Sequence, residues 1–210
     1  SADFLAGFTQ VLSPSTLLSA NLTVGTASGF LTDPYKRVRF DLAPDGVLEL
    51  EKRPGHRTRQ VFEATLRQHS ELLRGSAEAG YRLYHDSFGI WSHTLRLTWF
   101  QNLGKRVILS PMIRYYRQSA ADFFAPQFAG DPTNPDLAAE FPVPDAYSSD
   151  YRLSRLHSWS YGVGLRVMLS RRFSVDGAYK RYEMIGDDSA VASSNFPKAN
   201  VFTIGLRANF

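Results

Sequence analysis

Apolar and polar positions alternate with period two along most of this chain, in runs of about ten residues, the mark of two-faced β-strands. Helical spacing at i, i+3, i+4 and i+7 is nearly absent. The C-terminal run is the clearest. Phe202, Ile204, Leu206, Ala208 and Phe210 share one face, and Thr203, Gly205, Arg207 and Asn209 the other. From Trp159, the apolar set Trp159, Tyr161, Val163, Leu165, Val167 and Leu169 opposes Ser160, Gly162, Gly164 and Arg166. From Val107, the set Val107, Leu109, Pro111, Ile113 and Tyr115 opposes Ser110, Met112, Arg114, Tyr116 and Gln118. Shorter runs repeat the pattern around Leu18, Phe62, Tyr81, Leu95 and Phe173, and the first run, Phe4 to Leu12, is less clean. Pro111 cannot donate to a ladder, yet the alternation around it is unbroken, so the run is kept as a strand.

The connections alternate in length. Short ones fall at Ser13-Pro14-Ser15, Leu72 to Gly75, Asn102 to Lys105 and Ser170 to Arg172. Long ones cover roughly 27–57, 119–149 and 185–198, with a medium one near Asp86 to Trp91. Short turns on one side and long loops on the other are the pattern of a bacterial outer-membrane barrel. The first long loop holds β-like segments, Val38 to Leu42 and Val47 to Glu51, around the turn sequence Ala43-Pro44-Asp45-Gly46.

Alternation alone fits a soluble sandwich as well as a membrane barrel. Three features favour the barrel. The polar faces carry a charge on nearly every strand yet are rich in Gly, Ser and Thr, which suits a crowded polar lumen. The runs approach the roughly 9–11 residues of a tilted membrane strand. Aromatics fall near strand ends (Trp99, Trp159, Tyr115, Tyr179, Phe173 and Phe210), as interfacial girdles do. The expected fold is therefore an all-β antiparallel transmembrane β-barrel with about nine membrane strands, residues 1–210 forming one barrel domain. Bacterial single-chain barrels have an even number of strands. With Phe210 at the periplasmic side, the first run descends from outside, so at least one further strand is expected ahead of Ser1, within a larger even-stranded barrel.

Composition then reads differently. The chain has 210 residues, 43% hydrophobic and 13% aromatic, which argues against disorder. Its mean hydropathy of -0.25 averages an apolar face against a polar one. No apolar run approaches the roughly 18 residues of a spanning helix. The absence of cysteine excludes a disulfide scaffold, a thiolate zinc site and a cysteine nucleophile. The net charge of +4 and pI near 9.4 would suit an anionic partner, but the barrel pattern places much of the basic excess inside.

The ending Thr203-x-Gly205-x-x-Ala208-x-Phe210 resembles the C-terminal signal of bacterial outer-membrane proteins, which the barrel-assembly machinery reads; Ala208 is a weak match at a position that prefers something larger. Five further strings resemble one family of uncharacterised bacterial outer-membrane β-barrels, a domain of unknown function. They are Gly29-Phe30-Leu31-Thr32-Asp33-Pro34-Tyr35-Lys36; Arg53-Pro54 with Arg57-Thr58-Arg59; Tyr84 to Thr94; Arg114 to Phe124; and Ser148 to Ser154. The resemblance implies the fold and the bacterial outer membrane, and carries over no catalytic or binding residue.

The lumen face is expected to carry Glu63, Arg67, Glu78, Arg82, Asp86, Arg96, Arg114, Arg166, Asp176, Lys180 and Arg207. These would line a pore selecting by charge, or form cross-strand ion pairs that fill a closed lumen. His85, Asp86 and His93 flank one turn but match no metal motif, and ordinary loop hydrogen bonding is the expected role. Ser92-His93 and His157-Ser158 are adjacent in sequence, with no third group evident to orient a base, so no enzyme and no cofactor is expected. Arg114-Tyr115-Tyr116-Arg117 mixes basic and aromatic residues, but on a strand these alternate sides and form no nucleic-acid patch. Asp131 to Asp136 has oxygen ligands for calcium but reads first as a solvated turn. Two functions remain: a channel for small polar or anionic solutes, or a non-conducting scaffold. The scaffold would dock a partner on the aromatic loop 119–149, with Phe123, Phe124, Phe128 and Phe141, or in completing the barrel.

Overall fold

The computed structural model describes residues 1–41, 46–134, 136 and 140–208. Eleven strands follow one another: β1 (Ala2–Ser13), β2 (Thr16–Ser28), β3 (Arg37–Phe40), β4 (Val47–Leu50), β5 (His56–Ser70), β6 (Gly75–Asp86), β7 (Trp91–Leu103), β8 (Val107–Gln118), β9 (Leu156–Met168), β10 (Phe173–Gly186) and β11 (Lys198–Ala208). Nine form one antiparallel sheet in chain order, with β3 and β4 set aside as a separate hairpin. The nine strands run from 11 to 15 residues, longer than the ten or so that alternation alone indicates. The excess lies in positions where the apolar face gives way to mixed residues, as at His56 to Gln60.

Every pairing is in register with the period-two reading. The ladders Glu63↔Arg82, Arg82↔Thr94 and Thr94↔Tyr116 keep like faces together, as do Arg96↔Arg114, Arg114↔Ser160 and Ser160↔Tyr182. Pro111 stays within β8. Its ladder to β9 is continuous through Pro111↔Val163, whereas the ladder to β7 skips from Thr98↔Met112 to Gln101↔Leu109. The missing N–H thus interrupts one side only.

The sheet is inside out by the standard of a soluble domain. Large apolar side chains on one face lie open, with Phe8 60% and Leu206 84% exposed. The other face is concave, since Arg67 of β5 and Asp176 of β10 line one cavity of about 580 Å³. The packed apolar clusters lie instead among the loops. One gathers Phe88, Ile90, Ala121 and Leu153; the other gathers Val38, Phe40 and Tyr147.

The short connections (14–15, 71–74, 104–106 and 169–172) share one end of the sheet, and 29–55, 87–90, 119–155 and 187–197 share the other. The β3–β4 hairpin bears out the two β-like segments in the first long loop, with strands at Arg37–Phe40 and Val47–Leu50; Leu42, Ala43, Pro44 and Asp45 lie outside the described residues. β1 reads poorly in sequence for a visible reason. It carries Leu5 and Val11 on the polar face beside Asp3, Gly7 and Thr9. Among the described residues expected as strand-end aromatics, Tyr179 is the exception, sitting at mid-height in β10 opposite Val163 and Phe202.

β1 and β11 are the two edges of the sheet. Ala2 lies at the loop end of β1, opposite Thr26, and Lys198 at the loop end of β11, opposite Glu183. Both edge strands therefore run from the loop end towards the short-turn end.

Candidate functional site

The pairing puts all ten candidate lumen residues on the concave polar face, and Asp86 with them. They do not behave alike. Glu78 sits between two cations, 2.7 Å from Arg67 Nε and 3.0 Å from Arg96 Nη2. Arg166 Nε donates to Asp176 Oδ1 at 2.5 Å. These bridges are open to water, so each is worth about 0–1 kcal/mol. Glu63, Arg82, Arg114, Lys180 and Arg207 make no ion pair among the described residues.

At the loop end, the polar face meets a denser ionic assembly. Asp86 closes β6 with its carboxylate buried. Its Oδ2 accepts from Arg57 Nε at 2.8 Å, from a second Arg57 nitrogen, and from the Tyr84 hydroxyl at 2.6 Å. Its Oδ1 accepts from the amides of Phe88 and Ile90 at 3.0 and 3.1 Å, which shapes the 87–90 turn. Gly89 occupies that turn with φ +79°, where a side chain would also strike the Asp122 carboxylate.

Asp150 is the second centre. It accepts from Arg53 Nη2 at 2.8 Å, from Arg152 Nε at 2.8 Å and from the Arg152 amide at 3.1 Å, with Lys36 Nζ at 4.0 Å. Glu51, also buried, accepts from the Asp33 amide at 2.6 Å and the Ser148 hydroxyl at 2.5 Å, and Arg53 reaches it at 3.1 Å. Arg152 then spans to Asp33 at 2.7 Å. Backbone bonds complete the join: Lys52 and Tyr147 exchange bonds at 2.9 and 2.8 Å, and the Phe128 amide reaches Arg39 O at 3.0 Å.

The charges set each other's protonation. Burial pushes the Asp150 carboxyl up, but the Arg152 hydrogen bonds and the nearby Lys36 outweigh it, and the net shift is downward. Asp33 is also lowered, by the Tyr35 amide first and Arg152 second. Arg152 is raised in return, chiefly by its bond to Asp150.

The described residues of loop 119–155 therefore fold onto the chain itself. Phe123 and Phe124 pack against the Phe88 cluster, and Phe128 against Phe40 and Tyr147. These aromatics find their cover within the mouth. The five strings that resemble the outer-membrane family meet here, supplying Asp33 and Lys36, Arg53 and Arg57, Asp86, Gln118 and Ala121, and Asp150 and Arg152.

The other candidates are dispersed. His85 stacks on Trp91 with ring centroids 4.0 Å apart, and His93 Nδ1 bonds the Tyr81 hydroxyl at 2.7 Å, while both Asp86 oxygens are taken. His157 has an acidic partner that sequence adjacency did not show, Asp187 at 2.6 Å, but Ser158 lies on the opposite face of β9. Asp131 Oδ1 accepts from the Thr133 amide and hydroxyl, so it serves its own turn; Pro135 lies outside the described residues. Arg114 and Tyr116 face the polar side, and Tyr115 and Arg117 the other. In β11, Thr203 and Gly205 face the polar side and Ala208 the apolar side; Phe210 lies outside the described residues.

A nine-stranded antiparallel sheet in chain order, apolar on one face and charged on the concave other, resembles the fold of outer-membrane β-barrels, and solved structures agree. The in-vitro folded OmpT, an outer membrane protein of Vibrio cholerae, superposes with a TM-score of 0.57 at 11% identity, over 98% of this chain and 55% of that one. Its trimer form gives 0.56 at 11% identity, over 98% and 56%. The chain thus spans little more than half the length of these structures. No curated protein matches it. The chain belongs to the family described as "Protein of unknown function (DUF3570)", whose model matches residues 1–193.

Proposed function

We propose that this chain forms the wall of an outer-membrane β-barrel that acts as a channel for small polar or anionic solutes. The observation that carries the reading is the split between faces. The apolar face exposes side chains such as Phe8 and Leu206, which suits lipid acyl chains. The concave face pits nine cations (Arg57, Arg59, Arg67, Arg82, Arg96, Arg114, Arg166, Lys180 and Arg207) against five carboxylates (Asp3, Glu63, Glu78, Asp86 and Asp176). In a water-filled lumen that excess lowers the barrier to anions. In planar lipid bilayers the folded protein is expected to give discrete conductance steps with anion preference under a KCl gradient. Replacing Arg96 and Arg114 by Glu should shift the reversal potential towards cation preference. Absence of steps, or native cation preference, would overturn the channel.

In the same reading, β1 and β11 pair with further strands rather than with each other. Both run the same way, so direct closure would need a parallel pair, which an even-stranded antiparallel barrel avoids. Long unpaired edges are also aggregation-prone unless covered. The chain has no cysteine, so introduced pairs are clean probes. Thr9→Cys with Thr203→Cys, and Leu5→Cys with Thr203→Cys, should give no disulfide within one folded chain. An intramolecular disulfide at high yield would show direct closure. The barrel-assembly machinery would read β11 through Thr203, Gly205, Ala208 and Phe210.

One observation favours the scaffold reading. Phe30 and Tyr35, in the first long loop, are 80% and 91% exposed and lie outside the packed mouth clusters. A non-conducting protein that retains a partner through these two side chains fits that reading.

A further inference from the structure

A cavity of about 320 Å³ opens where the polar face meets the loops, lined by Arg82, Tyr84, Ser92, Tyr116 and Gln118 of the sheet and by loop residues such as Arg152. The ionic assembly around it is balanced: Lys36, Arg53, Arg57 and Arg152 answer Asp33, Glu51, Asp86 and Asp150. Arg82 is a further cation on this cavity. It pairs across the ladder with Glu63 but makes no ion pair with it. Its guanidinium lies 5.5 Å from the Tyr84 ring centroid instead. Arg114 repeats the arrangement two strands away, 5.6 Å from the Tyr116 ring.

Thr94 of β7 stands between these two units, paired with Arg82 on one side and Tyr116 on the other. It is 8% exposed, and its hydroxyl is buried without a hydrogen-bond partner. Buried hydroxyls are almost always bonded, so the Thr94 hydroxyl is a donor for which the described residues supply no acceptor, on a strand flanked by Arg82 and Arg114. Two guanidinium forks and a hydroxyl are donors only, or can act as donors only, and they match the oxygens of carboxylate or phosphate.

We infer that Arg82, Arg114 and Thr94 form a binding subsite for the oxyanion of a small phosphate- or carboxylate-bearing solute. The tyrosines hold the two guanidinium groups in place, and the paired loop charges keep competing carboxylates occupied. The inference rests on the channel reading for its role, as a solute stop at the lumen mouth, but binding itself is measured separately.

The folded protein in detergent micelles is titrated calorimetrically with inorganic phosphate, with succinate, and with chloride as control. Saturable binding of phosphate, succinate or both is expected, with none for chloride; the stronger of the two identifies the solute class. Arg82→Gln combined with Arg114→Gln should weaken binding at least tenfold, and Arg82→Lys should restore part of it. Thr94→Val should weaken binding several-fold with its melting temperature unchanged or raised, so misfolding is not the cause. No saturable binding, or the same affinity in the double Gln variant, overturns the subsite; unchanged affinity in Thr94→Val removes Thr94 from it. Binding without conductance overturns the channel and leaves the subsite standing. Conductance without binding does the reverse.

Discussion

Asp86→Ala is expected to open the loop end of the sheet while leaving the strands paired. The Asp86 carboxylate is buried and takes bonds from Arg57, Tyr84 and two turn amides. Alanine would leave the Arg57 charge without its partner and two amides without acceptors. Breaking a buried pair from one side costs about 3–5 kcal/mol. Arg57 is partly exposed, so water returns some of this and the lower end is expected. The loss should stay local, because the nine-stranded ladder does not depend on the turn. Hydrogen exchange should then rise across 87–90 and 119–155, with strand protection in β5, β6 and β7 kept. Asp86→Asn, which keeps acceptors but not charge, should fall between. Unchanged loop protection in Asp86→Ala would remove Asp86 from its central place.

The sheet was legible in the sequence because it is built from local repetition. Each apolar set, such as Trp159 to Val167, is confined to a single strand, and antiparallel neighbours follow in chain order. Turn lengths supplied the direction of each strand. The failures were also local. β1 mixes Leu5 and Val11 into its polar face, opposite Thr23 and Leu17 of β2. Alternation fades gradually at strand ends, so the strands came out too short.

The mouth was illegible for the opposite reason. Its bonds join residues far apart in the chain: Arg152 and Asp33 are separated by 119 positions, and Arg53 and Asp150 by 97. No spacing rule reaches that far. Nothing in periodicity distinguishes Asp150, a buried hub, from Asp131, which caps its own turn. The family-like strings named the right residues without naming a role. Their convergence on one ionic assembly means that the likeness to the family is carried largely by the loop end of the sheet, while the candidate lumen charges lie mostly outside those strings. The exceptions are Arg114, which lies within one, and Asp86. The aromatic loop shows the same limit. Phe123, Phe124 and Phe128 looked like a docking surface only while their internal partners Phe88, Phe40 and Tyr147 were out of view.

Asp150 is the second place where one substitution should act strongly, and it adds a pH signature. Its carboxyl is held below the ordinary value of 3.8, as is that of Asp33. A lowered native pKa contributes stability that is present above the unfolded value, near 3.9, and is lost as pH falls through the native one. The mouth should therefore hold its hydrogen-exchange protection from pH 7 down to about 5 and lose it below about 4. Asp150→Asn removes the charge that Arg53, Arg152 and Lys36 share, at a cost of about 3 kcal/mol, because Arg53 is largely buried. Loops 29–55 and 119–155 should then exchange quickly at neutral pH, and the acid step should shrink. Adding Arg53→Met removes the stranded cation, so the double variant should recover about 1 kcal/mol or more over the sum of the single changes. Strict additivity, with an acid step of wild-type size in Asp150→Asn, would mean that the loops are held by Phe88, Phe40 and Tyr147 alone and that the ionic assembly merely fills space.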